Sequence, residues 1–565
     1  MPAFLEPLLI SVYGETASRR LLPQIGRLIE HWRPRLATLP AARARAPLGE
    51  RDVVLITYAD QIRESGVAPL RTLAEFAACH LRGVVQGIHL LPFYPWSSDD
   101  GFSVKDYRAV DPACGEWEDV ARIGREFDLM LDAVFNHLSA GSRWFEQFLA
   151  GDPEFEDFFV TVEGEPDLSQ VVRPRALPLI TEFEGASARH RVWTTFSADQ
   201  VDLNFRNPKV LLAVLDVLLF YVSQGARYVR LDAIAFLWKE IGTSCIHRPE
   251  THAIIRCFRS VLADVAPGVR LITETNVPHA DNIAYFGDGT DEADLVYNFA
   301  LPPLVLHSLA TGDASDLSRW AAALRLPDGD VTFFNFLASH DGIGLNPVRG
   351  LLSDGAIGSL VDRTMRHGGL ISLKHLPDGS TAPYEMNINY FDALSDPGGR
   401  EPLELQIRRH LCAHAIQLSL AGVPGIYVHS LLGSRGDRAA ADATGIARRI
   451  NRERLVRGPL EAALADPENL RHRVFRAMCG LITERGRRPA FAPASSQAVR
   501  DLHPQVFAVE RRCPRTGSTV LALHNVGVTP VTLEAPGVPQ RVTLGAYEHL
   551  WMDHPDSTVA PRAGA

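Results

Sequence analysis

The chain has 565 residues, 46% hydrophobic and 22% charged, the balance of a soluble globular protein with room for two or three domains. Its 57 basic and 67 acidic residues leave a net charge of −10 without a long basic run, which argues against nucleic acid or an anionic membrane as partner and requires any anionic substrate to be met by a few placed arginines. Cysteines are scattered with no CxxC pair, no run approaches the ~18 apolar residues of a membrane span, and Met1–Ile10 has no basic leader, so the expected location is the reducing cytoplasm.

Residues 1–50 read as a polar N-terminal helical extension ending in the Arg/Ala-rich run 41–46 and Pro47-Leu48-Gly49. From 51 onward, apolar strand-like runs recur at 53–58, 87–93, 128–135, 228–233, 269–274, 294–299, 332–338 and 424–428. Helical stretches such as Leu70–Leu81, Val210–Gln224 and Thr251–Ala263 lie between them. Strands alternating with helices in this way predict an α/β fold, a (β/α)8 barrel over 51–484. Two gaps are too long for plain connections. Residues 138–205, rich in Pro, Phe and Glu, are expected to form a small inserted domain after the third strand. Residues 341–423, with turn signals at Gly368-Gly369, Pro377-Asp378-Gly379 and Asp396–Gly399, are expected to lay lid-like loops over the barrel mouth. Short strands at 505–511, 518–524, 530–534 and 541–545 predict a C-terminal all-β domain over 485–565.

Polar residues gather where the barrel strands end: Asp132 and Asn136-His137 on the third, Arg230 and Asp232 on the fourth, Glu274 on the fifth, His340-Asp341 on the seventh. Active sites of such barrels lie at that end. Side chains alternate along a strand, so Arg230 and Asp232 share a face and the cation favours an ionised Asp232. Glu274 has no cation at the same offset and is expected to carry a proton. One anion beside one acid is the division of labour that glycosidic-bond chemistry requires. Each motif alone equally fits a structural ion pair or a helix cap; their convergence on one mouth favours a site.

In this order, Asp132–His137, Arg230–Asp232, Glu274 and His340-Asp341 resemble the four short motifs of glycoside hydrolase family 13, the α-amylase family. The resemblance implies Asp232 as nucleophile, Glu274 as general acid/base and Asp341 as third carboxylate, with His137, Arg230 and His340 around the glucosyl ring. Leu55–Gln61, Gly101-Phe102, Arg173–Arg175, Gly242–Cys245, Leu301–Leu304, His340–Gly344 and Ile450–Arg452 resemble the sucrose phosphorylase subfamily. That likeness implies that Asp99, Phe102 and Arg452 belong to the sugar site, and that Arg175 and Tyr384 face acceptor or phosphate. Asn276 stands where sucrose phosphorylases carry histidine, Glu385 where glutamine is usual and Phe236 where tyrosine is, all on the fructose side. Pro95–Ser103, Trp238–His247 and Thr273–His279 resemble instead the branch acting on glucosylglycerate.

The activity so implied is retaining phosphorolysis of 2-O-α-D-glucosylglycerate to α-D-glucose 1-phosphate and glycerate, with inorganic phosphate as co-substrate and no cofactor. Arg173 and Arg175 are the expected anion ligands, with Lys239 as an alternative for glycerate. Sucrose or glucosylglycerol phosphorolysis and plain α-glucosidase or transglucosidase chemistry are the alternatives within the family. A non-catalytic carbohydrate-binding barrel is the alternative outside it. Asn136 stands where amylases ligate calcium, but no set of oxygen ligands surrounds it, so no metal is expected. The expected partners are a small glucoside and phosphate, with a homodimer left open.

Overall fold

The computed structural model describes residues 5–39, 45–175, 177–375, 380–534 and 541–554. The predicted turn at Pro377-Asp378-Gly379, most of the run 41–46 and the chain beyond 554 lie outside the described residues.

Strands β1 (Val54–Thr57), β2 (Gly87–Leu90), β3 (Asp128–Ala133), β4 (Ala226–Leu231), β5 (Arg270–Thr273), β6 (Leu295–Tyr297), β7 (Thr332–Phe336) and β8 (Val423–Tyr427) close a parallel barrel, β1 pairing with both β2 and β8. Each is short and rich in apolar residues because both of its faces are covered, inward by the barrel core and outward by helices. Register sets Arg230 of β4 beside Asp132 of β3 and Ile272 of β5, which brings the polar strand ends to one level.

Helix α1 (Leu5–Leu36), broken by a kink at Gly14 (φ 74°), packs against α2 (Pro208–Ser223) and α3 (Pro249–Val265). Its apolar stripe, from Leu5 and Leu9 through Leu21, Ile25 and Ile29 to Trp32, is buried there, as helical periodicity requires. Trp32 donates its indole N–H to Asp216 at 2.7 Å, and Tyr13 its hydroxyl to the Phe205 carbonyl at 3.0 Å. The extension is thus a strap over the outer wall of the barrel, beside the helices that follow β3 and β4.

The insert after β3 holds a helix (Arg143–Leu149), a hairpin (Ile180–Glu184 with Arg189–Trp193), and the pair His137–Ser139 with Gln200–Asp202 that ties it to the barrel mouth. Residues 341–423, expected as loops, are more regular than that. Ile343–Gly344, Leu370–His375 and Thr381–Asn387 form a three-stranded antiparallel sheet, followed by α4 (Leu403–Ser419), which leads back into β8. A sheet standing on the mouth and covered on part of one face needs no continuous apolar run, so its strands carry Lys374, Pro383 and Glu385.

After α5 (Leu470–Arg485) comes a four-stranded antiparallel sheet of Ser496–His503, Val506–Arg512, Thr519–Asn525 and His549–His554, with a hairpin of Val531–Leu533 and Val542–Leu544. Phe507, Val509, Val520 and Ala522 join the barrel core, while Val506, Ala508, Leu521 and Leu523 pack under the hairpin, the alternation a two-faced sheet demands. All seven thiols are free, and no described helix is long and apolar enough to cross a membrane.

Candidate active site

The barrel ladder runs one residue past β4 and β5. Asp232 N–H donates to the Ala133 carbonyl (3.1 Å) and Glu274 N–H to that of Leu231 (3.2 Å), so both acids emerge at the first position beyond their strands. Ala233 then turns into the left-handed region (φ 49°) and donates its N–H to Glu274 Oε2 at 3.0 Å, which ties the two strand ends together. A conformation that costs a non-glycine residue about 1–3 kcal/mol at such a place is a mark of a functional site. Arg230, 2% exposed, lies between the rings of Phe102 and Tyr297 and bonds Asp132 and, at 2.8 Å, Asp232 Oδ1. Its Nη2 is 3.9 Å from Glu274 Oε2. The same guanidinium therefore serves both acids, a contact the offset along the strand did not reveal. Burial raises the Asp232 and Glu274 carboxyls above their ordinary range, with Arg230 opposing it in each. Asp232 has the closer bond to the cation, so a proton shared by the two belongs on Glu274.

Asp341, on the loop after β7, completes the set. Burial would raise it, but Arg448 at 2.6 Å, with His340, Arg452 and Arg230, holds its carboxyl far below the usual range. Asn451 fixes the loop by donating to the Ser339 (2.7 Å) and Asp341 (3.0 Å) carbonyls. His340, pushed down to about 3 by burial, is neutral and stacks on Phe102 with ring centroids 4.7 Å apart. Asp132, bonded to Arg230 and at 2.6 Å to His89, is the buried counter-charge under the site.

These groups open on a cavity of about 610 Å³. Asp99, Phe102, His137, Asp232, Glu274, Asn276, His340, Asp341, Tyr384, Arg173 and Arg175 all line it. Arg230 and Arg452 stand behind its wall. Arg452, 5% exposed, donates to Asp100 (2.7 Å) and to the His340 carbonyl (2.8 Å), so it braces the sugar side from the rear. Asp99 and Asp100 both adopt positive φ (53° and 49°), the strained turn that lets Asp100 reach Arg452 and Arg449 while Asp99 meets Arg175 at 2.9 Å. Arg175 thereby links the insert to the barrel mouth. Arg173 bonds the Leu177 carbonyl at the cavity edge.

Two cations differ from expectation. Lys239 is buried away from the cavity lining, its ammonium 2.6 Å from Asp202 and 2.7 Å from Asn136 Oδ1, and is not available to glycerate. Burial lowers its pKa while Asp202 resists, and the Asn136 oxygen that amylase likeness would offer to calcium meets an ammonium instead. The missed residue is Arg448, four positions before Arg452, which lines the cavity and bonds Asp341 and Glu385. Its signal was the arginine cluster 448–449 leading into Ile450-Asn451-Arg452. Lys374 and Asn346, bonded to each other at 2.8 Å, also line the cavity.

A (β/α)8 barrel whose mouth brings together three acids, two of them beside one buried arginine, defines an enzyme of glycosidic-bond chemistry. The family description "Alpha amylase, catalytic domain" matches residues 83–340. The chain is 48% identical over 575 residues to the glucosylglycerate phosphorylase of Spirochaeta thermophila, covering 96% of this chain and 97% of that one. It is 51% identical over 488 residues to the glucosylglycerate phosphorylase of Allomeiothermus silvanus, with 86% of each covered. The crystal structure of sucrose 6F-phosphate phosphorylase from Thermoanaerobacter thermosaccharolyticum superposes with a TM-score of 0.74 at 25% identity, over 88% of this chain and 98% of that one. The chain belongs to the α-amylase family, glycoside hydrolase family 13.

Proposed function

We propose that the protein is a retaining α-glucosyl phosphorylase that interconverts 2-O-α-D-glucosylglycerate and phosphate with α-D-glucose 1-phosphate and glycerate. The observation that carries the reading is the meeting of Asp232, Glu274 and Asp341 in one cavity, in a chain about half identical to phosphorylases of that substrate over most of its length.

In the first step Asp232 attacks the anomeric carbon while the bond from that carbon to the glycerate oxygen breaks, and Glu274 gives its proton to the departing oxygen. Arg230 keeps Asp232 ionised and aimed. Asp341, anionic beside Arg448, accepts hydrogen bonds from ring hydroxyls, and the stacked Phe102 and His340 give the ring a flat wall. In the second step a phosphate oxygen attacks the same carbon from the side glycerate has left, the Asp232 ester breaks, and two inversions give net retention. Phosphate is already an anion and needs positioning more than deprotonation. Arg175 and Arg448, both lining the cavity, supply charged N–H donors for it, and for the glycerate carboxylate in the reverse reaction.

The test incubates the protein and phosphate with glucosylglycerate, sucrose and glucosylglycerol in turn and measures glucose 1-phosphate. Release from glucosylglycerate at a rate well above the other two supports the reading. Free glucose in place of glucose 1-phosphate would make the protein a hydrolase, and preference for another glucoside would reassign its acceptor.

A further inference from the structure

Glu385 is 2% exposed and sits in the central strand of the three-stranded sheet over the barrel mouth, paired with Gly344 and Ser372. One carboxylate oxygen accepts the N–H of Gly342 at 2.6 Å. The other accepts from Arg448 twice, from Nε at 3.2 Å and Nη2 at 3.1 Å. The remaining terminal nitrogen, Nη1, is left pointing at Asp341 Oδ1, 2.6 Å away. Both ends of Asp341 are therefore set from one residue: its side chain through Arg448, its backbone through Gly342. The approach is so close that a Cβ on Gly342 would lie 2.6 Å from Glu385 Cγ, which leaves only glycine after the acid.

We infer that Glu385 is a positioning residue: it holds the Arg448 guanidinium in the one orientation that serves Asp341 and meets the oxyanion of the incoming phosphate. This rests on the functional reading above. A glutamine here can satisfy one neighbour but not both. If its oxygen keeps the Gly342 N–H, its NH₂ group faces the two Arg448 donors and turns the guanidinium away; if it turns round to serve Arg448, Gly342 loses its acceptor. An acid at this position is thus what a fixed arginine requires.

The test is a double-mutant cycle of Glu385→Gln and Arg448→Gln, read in the phosphorolysis of glucosylglycerate, with thermal melting to confirm folding. Each single variant is expected to lose at least about 10-fold in kcat/KM for phosphate, the loss of a charge-assisted hydrogen bond, and to lose it more in KM than in kcat. The double variant is expected to lose no more than about 3-fold beyond the worse single one, because Glu385 acts through Arg448. Glu385→Asp, which keeps the charge, should fall between wild type and Glu385→Gln. Multiplicative losses, or a loss confined to kcat, would overturn the inference by making Glu385 a structural support of the loop alone. If Glu385→Gln does not fold, Glu385→Asp carries the same cycle; if neither folds, Glu385 is a folding residue and the inference fails. A wild-type protein that makes no glucose 1-phosphate sinks the functional reading itself, whereas an active wild type with unaffected variants sinks only the role given to Glu385.

Discussion

Lys239 and Asp202 form a buried ion pair, 2.6 Å from nitrogen to oxygen, behind His137 of the cavity wall. Asn136 completes it, accepting from Lys239 at 2.7 Å and donating to Asp202 at 3.1 Å. The pair joins the loop after β4 to the last strand of the insert, and Asn136 adds the end of β3, so together they hold the insert over the mouth.

Lys239→Met leaves Asp202 buried without its cation, and removing one partner of a buried pair costs about 3–5 kcal/mol. The expected result is a melting temperature lowered by many degrees. In the wild type, a chelator is expected to change neither melting temperature nor activity, because the ammonium already supplies the positive charge. Chelator-induced loss restored by calcium would contradict this.

Arg175→Ala removes the guanidinium that reaches Asp99 from the insert. Losing one charge-assisted bond to phosphate, about 1.5–3 kcal/mol, should raise KM for phosphate and for glycerate by about 10–100-fold. Steady-state kinetics in both directions measures it. Unchanged constants would leave Arg448 as the anion ligand without Arg175.

Burial raises the Glu274 carboxyl, and bond cleavage needs it protonated. The sign follows: kcat/KM for glucosylglycerate is retained above the ordinary glutamate range and falls as the pH rises through the raised value. α-D-Glucosyl fluoride, whose leaving group needs no proton, should show a weaker alkaline fall. Glu274→Gln should lose about 10²–10⁴-fold on the glycerate substrate and far less on the fluoride. Equal losses on both would remove Glu274 from the acid role.

Buried imidazoles set the acid limit of stability. Burial pushes His414 down to about 4, and His429 and His524 down to about 3. An unfolded histidine titrates near 6.5, so between these values the unfolded chain binds more protons than the folded one. Stability is intact above about pH 6.5 and falls on acidification, by about 2 kcal/mol per such histidine at pH 5. Melting curves at pH 7, 6 and 5 should shift steadily downward; a rise would contradict the buried, neutral state.

The barrel was legible because each of its strands is a short apolar run, and a parallel sheet covered on both faces permits little else. Ser496–His503 and His549–His554 escaped because they are the edge strands of the C-terminal sheet, half exposed and carrying charge or histidine along their length. The sheet at 343–387 escaped because its strands are partly exposed and interrupted by Lys374, Pro383 and Glu385. In the site, Asp232 and Glu274 could be found because a strand end fixes where a side chain goes. Arg448 lies in a 3-10 turn reached across about two hundred residues from Arg230, and its partners, Asp341 and Glu385, meet only through tertiary packing. Lys239 read as a free cation because its partner Asp202 is brought to it by the pairing of 137–139 with 200–202.

The covalent step can be measured directly. Glu274→Gln, given α-D-glucosyl fluoride without phosphate, should form the glucosyl ester and be slow to lose it, and mass spectrometry of a rapid digest should find one added glucosyl unit on the peptide containing Asp232. Phosphate added before quenching should remove the adduct and yield glucose 1-phosphate. An adduct on another residue, or a fully active Asp232→Asn variant, would contradict the account.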